Sequence, residues 1–192
     1  MQGPYDVILA DPPWSYYGDP HKDQAAGKHY PCMDVVDLVN LPIPRITAAK
    51  AVLFLWATCP RLPFALELMD GWDFYFRGVA FVWIKTTKAG GIISGQGIRP
   101  TVVKPTTEFV LVGTTCKTGR ALPLRDEGIG QVVWEEAVEP EPVLAPRPGN
   151  RHSKKPDEVR RRIEALFAPD VRRIELFARE QAPGWDAWGN EL

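Results

Sequence analysis

The chain has 192 residues, 45% of them hydrophobic and 24% charged. These values suit a single soluble domain over 1–192 and exclude a disordered chain or one that needs disulfides or a structural metal to fold. With 23 Lys plus Arg against 24 Asp plus Glu, the formal net charge is −1, which excludes a uniformly basic nucleic-acid coat.

Taken in chain order, the start Met1-Gln2-Gly3-Pro4 has neither a basic nor an apolar signal region. Tyr5–Ala10 is a near-continuous apolar run that reads as a strand covered on both faces. Ala51–Ala57 reads the same way. Pro60 then starts a helix on which Leu62, Ala65, Leu66 and Met69 share one face. Val79–Lys85, Glu108–Gly113 and Gln131–Trp134 are further short strands. Residues 138–150 are Pro-rich and read as an extended surface connection. A second helix opens with Pro156 in its first turn, where Asp157 and Glu158 suit the positive dipole end. Val159, Ile163, Leu166 and Phe167 form its apolar stripe, Arg160, Arg161 and Arg162 are expected to face solvent, and Pro169 closes it. Arg172–Ala178 is the last strand. Strands alternating with helices predict an open α/β sheet.

No apolar run approaches the roughly 18 residues of a membrane helix, and Cys32, Cys59 and Cys116 are scattered without a CxxC pair. Free thiols in a cytoplasmic protein are the simplest account. His21, His29 and His152 are too dispersed for a metal cluster, so no metal is expected.

The charge is segregated along the chain. Residues 77–120 carry seven basic side chains, among them Arg77, Lys85, Lys88 and Arg99, against the single acid Glu108, whereas residues 1–76 carry five basic and nine acidic ones. The basic block surrounds the Gly-rich stretch 89–97. It fits contact with a phosphate backbone, and equally a solvated face. Neither GxxxxGK[ST] nor a GxGxxG between strand and helix occurs, which disfavours nucleotide sites of those two kinds.

Asp11-Pro12-Pro13-Trp14 follows directly on the first strand, at the carboxyl edge where open α/β sheets bind ligands. Proline lacks an N–H and stiffens the backbone, so the Pro12 carbonyl is expected to be free to accept from a ligand. Asp11 adds a second acceptor and Trp14 a flat apolar face. Two acceptors and a stacking surface match an aromatic ring with an exocyclic amine, such as adenine. The same four residues also read as a strand-terminating turn with a core tryptophan.

The motif resembles the catalytic signature of the amino-methyltransferases, and the rest of the chain is similar to the MT-A70 family of adenine N6-methyltransferases. Matching segments are Lys28-His29-Tyr30-Pro31-Cys32-Met33, Leu53-Phe54-Leu55-Trp56, Trp83-Ile84-Lys85, His152-Ser153-Lys154-Lys155-Pro156-Asp157-Glu158, Arg173-Ile174-Glu175-Leu176-Phe177-Ala178-Arg179, and Gly184-Trp185 with Trp188-Gly189-Asn190-Glu191. The resemblance implies a Rossmann-like sheet with helices on both faces in permuted motif order, and S-adenosyl-L-methionine as cofactor. It implies catalytic roles for Asp11, Pro12, Pro13 and Trp14. Asp11 and Lys155 would meet the methionine end of the cofactor; Glu175, Phe177, Arg179, Asn190 and Glu191 would line the nucleoside half. Tyr30 matches a substrate-side loop, and Lys85, Lys88 and Arg99 of the basic block are the candidate polynucleotide contacts.

Two departures stand out. The chain starts a few residues before its first strand, where larger members carry upstream segments that help hold the cofactor adenine. Its closing Gly-Asn-Glu also has an acid where relatives carry an amide. Compact stand-alone relatives resemble bacterial or phage DNA enzymes, so DNA is expected over RNA as the nucleic-acid partner, with no membrane partner. The alternatives are an RNA adenosine enzyme, an inactive nucleic-acid-binding member, or methylation of a small-molecule or protein amine. Monomer and homodimer are both compatible with the sequence.

Overall fold

A computed structural model describes residues 3–14, 32–86, 91, 92, 103, 105–136, 155–190 and 192. The apolar runs become the strands of one sheet: β1 (Tyr5–Ala10), β2 (Thr47–Ala57), β3 (Tyr75–Thr86), β4 (Thr107–Thr114), β5 (Val132–Glu136), β6 (Arg173–Leu176) and β7 (Asp186–Trp188). Their order across the sheet is β5-β3-β4-β2-β1-β6-β7. β1 is the fifth of the seven, lying between β2 and β6 and parallel to both. β4 runs antiparallel to its neighbours β2 and β3, so the sheet is mixed.

Side-chain alternation sorts each strand between two cores. Ile8, Ala10, Leu53 and Leu55 pack with α1 (Val35–Val39) and α2 (Leu62–Gly71) through Leu38, Ala65, Leu68 and Met69. Val7, Leu9, Phe54, Trp56, Phe81, Trp83 and Val110 pack on the other face with Val159 and Ile163 of α3 (Asp157–Leu166). Helices thus cover both faces, as expected of this α/β fold. Each fully buried Val or Ile on α3 contributes about 1.5–3 kcal/mol. On the first face Trp72 is fully buried, and its indole N–H donates to the Leu38 carbonyl at 2.9 Å.

Several expectations are revised. A 3₁₀ turn, Cys59–Arg61, precedes α2, so the helix begins at Leu62 and not at Pro60. Pro156 is the extended residue that caps α3 rather than part of its first turn. Arg161 is exposed, but Arg160 and Arg162 are only 17% and 22% exposed at their side chains. They flank the buried stripe, where their long stems lie on the sheet and their heads find partners. Arg162 donates to the Gly130 and Val132 carbonyls, each at 2.7 Å. The last predicted strand ends at Leu176, two residues early, because Phe177 has a φ of 61°. That left-handed conformation ends strand pairing and is unusual for a bulky residue.

β7 was not legible in the sequence, and it is held by a close backbone approach. A Cβ at Gly189 would stand 2.1 Å from the Ala178 carbonyl oxygen, next to the hydrogen bond from Ala178 N–H to the Trp188 carbonyl. The clash is with backbone, so no side chain can yield. Gly189→Ala is expected to destabilise the protein by about 1–3 kcal/mol, seen as a lower Tm in a thermal melt. Among the described residues, no helix is long and apolar enough to cross a membrane. Cys32, Cys59 and Cys116 are half-buried free thiols.

Candidate active site

The parallel strands deliver their carboxyl ends to one edge of the sheet. Asp11 is the first residue past β1 and continues the alternation of Val7 and Leu9 toward the α3 face. By the same alternation Glu108 follows Val110 on β4, Lys85 follows Trp83 on β3, and Glu175 of β6 pairs in register with Leu9. A row of charged groups therefore lies along the carboxyl edge on one face, over an aromatic floor. Trp56 and Trp83 form that floor, edge to face with ring centroids 6.0 Å apart.

Lys155, immediately before the α3 cap, reaches down into the row. Its Nζ lies 2.9 Å from Asp11 Oδ2, 3.4 Å from Glu108 Oε2 and 5.5 Å from the centre of the Trp56 ring. Lys85 Nζ donates to the other Glu108 oxygen and sits 5.1 Å from the centre of the Trp83 ring. The two lysines and two carboxylates thus alternate in sign. At the far end of the row, Arg160 of α3 pairs with Glu175 at 2.9 Å.

Burial and pairing act on these carboxylates in opposite directions. Burial pushes the Asp11 carboxyl above its ordinary value; Lys155 opposes it, Glu108 adds to the rise, and Arg179 lowers it at longer range. Burial would raise Glu108 as well, but Lys155 and Lys85 together outweigh it and hold Glu108 below the ordinary range. Burial raises Glu175 despite Arg160, with Asp11 and Glu180 contributing in the same direction.

The two prolines shape the turn after Asp11. Trp14 N–H donates to the Pro12 carbonyl at 2.8 Å, which closes a tight three-residue turn centred on Pro13. One lone pair of the Pro12 oxygen is therefore already engaged, contrary to the expectation of a free acceptor, and a ligand amine would share it. The Pro13 carbonyl accepts from Met33 N–H at 2.9 Å. Trp14 is 6% exposed, lies in the α1/α2 core, and donates from its indole to the Trp56 carbonyl at 3.4 Å. Its ring locks the turn from behind and offers no open stacking surface.

Asp11 and Lys155 are thus in contact, and Glu175 and Arg179 are electrostatically coupled to Asp11. Phe177 stands at the carboxyl end of β6 with its ring 5.3 Å from that of Trp188. Asn190 is exposed just past β7. Lys85 pairs with Glu108 and keeps its side chain 31% exposed. Tyr30, Lys88, Arg99 and Glu191 fall outside the described residues. Sequence reasoning missed Glu108 as a site residue, although a signal was present: it is the lone acid of the basic block, on the inward side of an apolar strand.

Residues 5–191 match the family model of MT-A70. The chain belongs to the MT-A70 family. Among its relatives, it is 34% identical to the type II methyltransferase M.MunI of a Mycoplasma species, over 98% of this chain and 78% of that protein. It is 29% identical to the human N(6)-adenine-specific methyltransferase METTL4, over 98% of this chain and 37% of that protein. It is also 29% identical to a probable N(6)-adenosine-methyltransferase, MT-A70-like, of rice, over 99% of this chain and 23% of that one. The chain thus spans most of the Mycoplasma protein but well under half of the other two.

The donor set of this MT-A70 chain fits S-adenosyl-L-methionine. A zwitterionic amino-acid end needs a cation for its carboxylate and an anion for its ammonium, and Lys155 and Asp11 provide them side by side. Ribose hydroxyls need an acceptor, and Glu175 of β6 is a carboxylate that would suit them. Backbone strain at Phe177, between Glu175 and Arg179, is of the kind that concentrates at ligand sites. Among the described residues, no group of three His, Cys, Asp or Glu side chains is placed to hold a metal.

Proposed function

We propose that this chain is an S-adenosyl-L-methionine-dependent methyltransferase that methylates the exocyclic N6 amine of adenine in DNA. The observation that carries the reading is the ion pair of Lys155 with Asp11, the residue that opens the Asp-Pro-Pro-Trp turn at the carboxyl end of β1. Membership of MT-A70 supports the reaction class. Similarity to a compact type II methyltransferase supports DNA over RNA. A single domain over 1–192 acting in the cytoplasm, where free thiols persist, completes the reading.

The bound cofactor supplies an already activated sulfonium methyl group. The adenine amine is a poor nucleophile because its lone pair is delocalised into the ring. Asp11, together with the remaining lone pair of the Pro12 carbonyl, accepts hydrogen bonds from the amine and favours a more pyramidal, more nucleophilic nitrogen. Their rigid placement by the two prolines would hold that nitrogen in one orientation for transfer, and positioning of this kind supplies several kcal/mol. Asp11 does not deprotonate the neutral amine; as the N–C bond forms, the S–C electron pair would stay on sulfur as a thioether, and the now cationic nitrogen would then give its proton to Asp11 or water. Lys155 would orient the cofactor carboxylate, and Glu175, Arg179 and Asn190 would hold its nucleoside half, with Phe177 packing beside it; Glu191 is assigned to the same half from the sequence motif alone. Tyr30, Lys88 and Arg99 contact the polynucleotide. A base in a duplex must be extruded to reach this edge, at a few kcal/mol.

The test is transfer of a labelled methyl group to matched DNA and RNA, followed by nucleoside analysis. N6-methyldeoxyadenosine is the expected product. N6-methyladenosine in RNA would replace the reading with its RNA alternative. Polynucleotide binding without transfer would identify an inactive member. Because burial raises the Asp11 carboxyl, its working ionised form is lost at a higher pH than for an ordinary aspartate as the solution is acidified. The acidic limb of kcat/KM is therefore expected above the ordinary aspartate value of 3.8.

A further inference from the structure

Resting on that reading of Asp11, we propose that Glu108 is a positioning residue for the transfer. It shares Lys155 with Asp11, so that the ammonium moves off Asp11 when the substrate amine arrives.

Asp11 has two demands on it. With no amine present, its buried carboxylate needs a cation nearby. During transfer its oxygen must accept from the amine, and a lysine donating to the same carboxylate competes with that bond and drains its electron density. A second anion within reach of Lys155 resolves the conflict. Glu108 stands there, 3.4 Å from Nζ against 2.9 Å for Asp11. A small displacement toward the Trp56 and Trp83 floor exchanges one partner for the other without taking the ammonium into water.

Glu108 is built for this. It is 7% exposed. Lys85 holds its other oxygen, which fixes the carboxylate's orientation from β3. Two flanking cations keep it ionised. The groups facing Asp11 are Lys155 from before α3, Glu108 from β4, Glu175 from β6 and Arg179 from just after it. Of these, Glu108 is the acid that shares an ion pair with Lys155. Without it, Lys155 keeps its ion pair with Asp11 but loses the second carboxylate it is shared with.

Glu108→Gln keeps the shape and an acceptor for Lys85 while removing the charge. Wild type, Glu108→Gln and Glu108→Asp are compared in methyl transfer, in calorimetric binding of S-adenosyl-L-methionine, and in carbon-13 NMR titration of the Asp11 carboxyl. In Glu108→Gln, kcat is expected to fall roughly tenfold, less than for loss of a group touching the amine. Cofactor affinity is expected to change less than kcat, since Glu108 acts through Lys155 and not on the cofactor. The Asp11 titration is expected to move to lower pH, because an acidic neighbour is gone and Lys155 is no longer shared. Glu108→Asp recovers part of kcat. Wild-type kcat in Glu108→Gln, an Asp11 titration that stays or rises, or equal losses of kcat and cofactor affinity with a lower Tm would each overturn the proposal. If the wild type transfers no methyl to any polynucleotide, the proposed function fails, while the Asp11 titration still decides how Lys155 is shared.

Discussion

Asp11→Ala is expected to abolish methyl transfer while leaving the protein folded. Loss of one preorganised group at the reacting atoms lowers kcat by about a hundredfold to a thousandfold, and here the remaining acceptor, the Pro12 carbonyl, is already partly engaged by Trp14 N–H. The fold should survive for a specific reason. The Asp11 carboxyl is raised in the native chain, so its ionised form is less favourable there than in the unfolded chain. Above the ordinary aspartate value it therefore detracts from stability, and removing it relieves that loss. Lys155 is not orphaned, because Glu108 stays within ion-pair reach. Single-turnover transfer of labelled methyl and a thermal melt check both halves. An unchanged or slightly higher Tm with near wild-type turnover would remove Asp11 from the mechanism.

Lys155→Met is expected to have the larger effect on cofactor binding. The methionine fills the stem's space but leaves Asp11 and Glu108 facing each other without the cation between them. Truncating one partner of a buried, hydrogen-bonded charge pair weakens binding by about 2–5 kcal/mol, which calorimetry with S-adenosyl-L-methionine reads as a lower affinity. The pH dependence of stability should change as well. Glu108 is held low in the native chain, so it contributes stability above its unfolded value that disappears as the pH falls through its folded value. Without Lys155 its folded value rises, and that contribution is lost at higher pH. Melts of the variant between neutral pH and the acid range should lose Tm earlier than the wild type. Lys155→Arg, which restores the charge, should recover part of both properties.

Much of this architecture was legible in the chain because its causes are local. Val7-Ile8-Leu9-Ala10 must be buried on both faces, and a Pro pair must end such a strand, so Asp11 could be placed at a sheet edge without any tertiary contact. The spacing of Val159 and Ile163 located α3 for the same reason. Glu175 could be put in a strand near the carboxyl edge, and it is in β6. The turn at Phe177 was not visible. No local rule asks a phenylalanine to adopt a positive φ, and surrounding packing must impose it.

By itself, the sequence suggested the reaction class through its resemblance to MT-A70, and it placed Asp11 at the carboxyl edge of the sheet. That placement follows from strand polarity and proline stereochemistry. Only the tertiary structure decided how the charges divide. β4 runs antiparallel between β2 and β3, and that reversal brings the lone acid of the basic block beside Lys155 and Lys85. Packing against the α1/α2 face also buried the Trp14 ring. Electrostatic pairing depends on distances of a few ångströms between residues far apart in the chain, so it is settled by packing, which local sequence pattern does not encode.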